Sequence, residues 1–82
     1  MKKVILLPTA AKGLRKHRAD AARIVAKINA YAADPAAQAN NVKALRGSDE
    51  FRLRVGDYRV IFVDREQEII VKRIGPRGSI YD

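Results

Sequence analysis

The stretch FRLRVGDYRVIF, residues 51 to 62, sets three arginines into an otherwise apolar run. Phe51, Leu53 and Val55 alternate with Arg52 and Arg54, then Gly56-Asp57 intervenes, and Tyr58 to Asp64 follows. This is the pattern of two strands joined by a two-residue turn. With Gly56 and Asp57 at the turn, Val55 faces Tyr58, Arg54 faces Arg59, Leu53 faces Val60 and Phe51 faces Phe62. One face of the hairpin is then apolar, and the other carries Arg52, Arg54 and Arg59. Like charges directly opposed across two strands destabilise the pair. A phosphate or carboxylate held between them reverses the sign, because guanidinium groups grip such anions in a bidentate fork. The competing expectation is a solvated face, with the arginines splayed into water or paired with Asp49, Glu50 or Glu68. A basic edge of that kind only discourages aggregation.

Three further residues have chemistry to offer. Arg77 follows Pro76 in a rigid turn after the last apolar run, where it can reach the same basic face or stay solvated. Tyr81 can stack on a base or exchange a proton, although an aromatic near a terminus more often anchors the tail. His17, the only histidine, sits in the basic run KHRAD without a visible partner. A solvated histidine between two helices accounts for it better than a general base does. No metal site is indicated, and the absence of cysteine excludes disulfides and thiolate ligands. GPRG is not a phosphate-cradling glycine loop, so no cofactor is expected.

A face of this kind has to be positioned by a small fold. Eighty-two residues give one expected domain, 1 to 82, and 48% hydrophobic residues suffice for its core. The opening MKKVILLP has an apolar run too short for a signal peptide and reads as a strand from Lys2 to Leu7. No run approaches the roughly 18 apolar residues of a membrane span, so a soluble, cytoplasmic protein without a membrane partner is expected. Seventeen Lys and Arg against nine Asp and Glu give a net charge of +8. Such a bias points to an anionic partner, either nucleic acid or an acidic protein.

Pro8 and Thr9 open a helical region, with Thr9 as a possible cap. In a second helix Ile24, Val25, Ile28, Tyr31 and Ala32 follow helical spacing and define an apolar face. Asp34 to Asn41, with Pro35 and paired asparagines, reads as a loop, and Val42 to Gly47 leads into the sheet. After the hairpin, Arg65 to Gln67 makes a turn and Glu68 to Ile74 a last strand. The expected fold is α+β in the order β-α-α-β-β-β, with two N-terminal helices packed on a largely antiparallel four-stranded sheet.

The run VKALRGSDEFRLRVGDYRVIF, the strand ending RIG, and Arg77 and Tyr81 beyond it resemble the RelE/ParE superfamily of bacterial toxins. The resemblance covers the whole chain and implies the same fold. It also implies a type II toxin–antitoxin module whose toxin is neutralised by a small acidic antitoxin. RelE-type members are endoribonucleases that cut mRNA in the ribosomal A site and so inhibit translation, whereas ParE-type members inhibit DNA gyrase. By position, the resemblance makes Arg59, Arg77 and Tyr81 catalytic and gives Arg52 and Arg54 to RNA binding. ParE-type proteins generally lack this full set, which favours mRNA and the ribosome as targets. Two departures stand out. Glu50 occupies a position that is basic in some RelE proteins, and the stretch from Gly75 to Tyr81 is short and contains Pro76. Gyrase inhibition, or a module that only binds RNA or antitoxin, remain the alternatives.

Overall fold

The computed structural model describes residues 1 to 80. Its elements are β1 (Lys3–Leu6), α1 (Pro8–Lys16), α2 (Arg18–Ala33), a 3-10 helix (Pro35–Asn41), β2 (Val42–Ala44), β3 (Glu50–Val55), β4 (Tyr58–Asp64) and β5 (Glu68–Pro76). The expected α+β order holds, but the sheet has five strands, ordered β1-β5-β4-β3-β2. The extra strand is the edge strand β2. Its three residues are too few to show an alternation in sequence, and it exists because it pairs antiparallel with Phe51 to Leu53 of β3. β1 lies parallel to β5, with Lys3 opposite Glu68 and Leu6 opposite Val71, while the other pairings are antiparallel.

Pro8, not Thr9, starts α1. Leu7 is the cap residue and its side chain makes no capping bond. Proline suits the first helical position because its φ is already helical and its missing N–H has no partner there. The segment after α2 is a 3-10 helix rather than a loop, and the Asp34 carboxylate caps it by accepting from the Ala37 N–H at 3.4 Å.

Ile24, Ile28, Tyr31 and Ala32 bury one face of α2 against the sheet, whereas Val25 is exposed and falls outside the predicted apolar stripe. They meet Leu53, Val55, Val60, Phe62, Ile69, Val71 and Ile74 from the central strands. The Phe62 ring lies 4.9 Å from Tyr31 and 5.6 Å from Phe51, centroid to centroid. Tyr31 also donates to Asp64 at 2.6 Å, and Lys2 pairs with the other oxygen of that carboxylate. The first helix comes so close to β5 that a Cβ on Gly13 would stand 2.2 Å from the Ile74 carbonyl oxygen. Only glycine permits that approach. No helix of the described residues is long and apolar enough to cross a membrane.

Candidate functional site

The hairpin register is the one the sequence predicts. Val55 pairs with Tyr58, Arg54 with Arg59, Leu53 with Val60 and Phe51 with Phe62. Gly56 has φ 57°, and among the described residues none other than glycine has a positive φ. A positive φ at the first turn position alone is the signature of a type II′ hairpin turn, which matches the twist of the strands. This turn fixes the parity of both strands, and therefore sends Leu53, Val55, Val60 and Phe62 to the helices and the arginines to the opposite face.

Arg59 is half-buried, and its guanidinium donates to the Gly56 and Tyr58 carbonyls, each at 2.9 Å. Its head is thus folded back over the turn rather than splayed. Arg54 donates to Asn41 Oδ1 at 3.1 Å, and Asn41 in turn donates to Gln38 at 3.3 Å. Arg77 is placed by its backbone: its N–H donates to the Asp57 carbonyl at 2.9 Å, tying the end of β5 to the hairpin turn. Burial, followed by the charges of Arg52, Arg77 and Arg54, pulls the Arg59 pKa below its ordinary value, and Asp57 opposes them. Four arginines therefore share one field.

Of the acids named as possible partners, Glu50 is engaged by a lysine. Glu50 pairs with Lys72 at 3.1 Å. It stands two residues along β3 from Arg52, about 7 Å at the usual rise, and twice as far from Arg54. Asp57 at the turn acts on Arg59 with the opposite sign and lines a cleft with Lys27, Arg54, Arg59 and Arg77. That cleft has a volume of about 500 Å³. A second cleft of about 300 Å³ runs toward the sheet edge, lined by Asn40, Asn41, Lys43, Arg52, Arg54 and Arg59.

The structure therefore brings Arg52, Arg54, Arg59 and Arg77 together. Tyr81 lies outside the described residues. His17 packs edge-on against the Tyr58 ring, 5.2 Å between centroids, on the helix side of the hairpin and away from the arginines. There Tyr58 donates to Asp20 at 2.6 Å and Arg23 pairs with the same carboxylate at 3.2 Å. The hydrogen bond to Asp20, then burial, raise the Tyr58 pKa, so the phenol is held protonated. Sequence reasoning missed Lys27, Asn41, Lys43 and Asp57 as cleft residues. Lys43 could have been found from its pairing with Arg52 once β2 was recognised as a strand. Nothing local in the sequence marks Lys27, which reaches the cleft only because α2 runs past the hairpin turn.

The fold has known counterparts. The RelE–RelB complex of Pyrococcus horikoshii contains a chain that is 26% identical, with 95% of this chain and 97% of that one covered at a TM-score of 0.76. A chain of the RelB–RelE antitoxin–toxin complex of Methanococcus jannaschii is 27% identical, covered 95% on both sides, at 0.65. YafQ of E. coli, at 13% identity, shares the fold over the whole of both chains with a TM-score of 0.75. None of the curated proteins compared matches the sequence. The family model of the ParE toxin of type II toxin–antitoxin systems matches residues 4 to 81, from the first strand through the arginine cluster to the tail. Fold, hairpin register and that near-complete match agree, and the chain belongs to the ParE toxin family, within the RelE/ParE superfamily of type II toxin–antitoxin toxins.

Proposed function

We propose that this toxin is an endoribonuclease that cuts mRNA in the ribosomal A site and so arrests translation. The observation that carries the reading is the convergence of Arg52, Arg54, Arg59 and Arg77 on one face, where Asp57 is the only carboxylate among the described residues that line the cleft of Arg54, Arg59 and Arg77. Cleavage by the 2′-hydroxyl requires that hydroxyl to lose its proton and attack phosphorus. The bond to the 5′ oxygen then breaks and that oxygen takes up a proton. Arg59, held by two carbonyls, stabilises the charge that builds on the phosphorane, commonly the largest catalytic contribution. It stays protonated and is not the base, since guanidinium ionises only above about pH 12. Arg52 and Arg54 bind and orient phosphate oxygens, and Arg77 places charge near the leaving oxygen. Tyr81 is assigned to stacking on the substrate base or to accepting the 2′ proton, and the second role requires its phenol to ionise below the ordinary value of about 10. Such sparse acid–base equipment suits an enzyme whose substrate is positioned by the ribosome.

The partner that silences the toxin is a small acidic antitoxin. Net charge supports this, as do relatives whose structures are toxin–antitoxin complexes. The second reading is DNA gyrase inhibition, favoured by the match to the ParE model. Controlled expression followed by mapping of mRNA 5′ ends separates the two. Cuts within translated codons are expected. Intact mRNA together with blocked DNA supercoiling by the purified toxin would replace the nuclease with a gyrase inhibitor, and growth arrest with neither effect would leave a binding module.

A further inference from the structure

The two clefts of the basic face are not separate features. Both are walled by Asn41, Arg54 and Arg59, and beyond that shared ridge one is lined by β2 and the other by the hairpin turn and α2. One ends at the sheet edge, where Lys43 lies directly opposite Arg52 in the β2–β3 register. The other ends against α2, where Lys27 reaches beside Arg77. Two opposed cation pairs therefore stand side by side on the same face, Lys43 with Arg52 and Arg54 with Arg59. Among the described residues the ion pairs of the fold engage Lys2, Arg23 and Lys72, and neither cleft lysine takes part in them.

We propose that Lys27 and Lys43 are phosphate anchors on either side of the Arg54–Arg59 ridge, so that the site grips three consecutive phosphates of one RNA strand. The central phosphate lies over the ridge, and its neighbours descend into the two clefts. The assignment rests on the reading of the arginine face as an RNA site. Clefts that meet at a ridge require a ligand that bends, which a single strand does readily. An acidic protein segment has less to gain there, because among the described residues Val42 is the only apolar side chain lining either cleft. Asn41 keeps one amide hydrogen beyond its bond to Gln38, and the exposed Asn40 lines the same cleft, so both amides can donate to a nucleotide held there.

The test uses the full chain and a 2′-O-methyl oligonucleotide with three internal phosphates, which binds but cannot be cut. Affinity is measured over a range of salt for the wild type, Lys27→Ala, Lys43→Ala and the double variant. Single-stranded nucleic acid releases counterions so that log affinity against log salt falls by about 0.7 per phosphate neutralised. A slope of about −2 is expected, reduced by about 0.7 in each single variant. Replacing one end phosphate by a neutral methylphosphonate should cost the wild type affinity but cost nothing further to the variant lacking the matching lysine. Wild-type slopes in the folded double variant would overturn the assignment. So would a glutamate-rich peptide whose binding needs both lysines when oligonucleotide binding needs neither. Cleavage is read separately on translating ribosomes. Binding with the expected slopes but without cleavage keeps the anchors and removes the nuclease, whereas cleavage with unchanged slopes does the reverse.

Discussion

Arg59 differs from its neighbours in being held by the turn itself, with both bonds going to backbone carbonyls. Arg59→Ala should therefore abolish growth arrest while the protein stays folded, because the side chain lies on the face away from the helices. Circular dichroism and expression toxicity together check this, and a folded variant of full toxicity would refute the site. Tyr31 offers a contrast at the same scale. Burial, then its bond to Asp64, raise its pKa above the ordinary tyrosine value, so it remains a donor throughout the neutral range. A raised phenol pKa means stability that is complete below the unfolded value of about 10 and lost as the pH climbs through the folded one. Tyr31→Phe should cost about 1.5–3 kcal/mol in urea unfolding near neutral pH, as expected for a hydrogen bond to a charged group. Its remaining folded fraction should keep full toxicity, since Tyr31 is remote from the arginines.

At the scale of elements, α1 is held against β5 through Gly13. Alanine usually stabilises a helix by about 1 kcal/mol over glycine. At this position it would put a methyl 2.2 Å from the Ile74 carbonyl, and the resulting displacement should reverse the sign. Gly13→Ala is expected to destabilise by about 1–3 kcal/mol, measurable as a lower denaturant midpoint, and a stabilised variant would contradict the packing. The sequence alone marks Gly13 only as an imperfection in a helix, because its reason lies sixty residues away. The hairpin is the opposite case. Its register, its turn and the segregation of Arg52, Arg54 and Arg59 were legible because a period-two pattern and a Gly-Asp turn are local signals. β2 and the 3-10 helix were not legible as such, since three residues carry no period and the strand exists through its partner. The same logic divides the site. Arg77 could be placed only loosely until its N–H was seen tied to Asp57, and Lys27 joins the cleft through the packing of α2 rather than through any motif.

For the whole molecule, a net charge of +8 acts before contact. An acidic antitoxin should be steered to the basic face, with an association rate that falls by about tenfold or more from low to high salt. Stopped-flow measurements on Arg52→Glu, Arg54→Glu and Arg59→Glu should show slower association for each. Rates indifferent to salt and to every reversal would mean that the antitoxin is captured elsewhere.

The parallel pairing of β1 with β5 joins Lys3 to Glu68, and this has a consequence for biosynthesis. Contacts so distant in sequence form late, because the intervening chain must first be ordered. During translation they cannot form at all until residues 68 to 76 have left the exit tunnel. Until then β4 has an unsealed edge, the first helix lacks the strand that Gly13 fits, and Arg77 has not joined the other arginines. The arginine face is therefore completed only once β5 has emerged and docked beside β4, so a partner that recognises the whole face has nothing to bind before that moment.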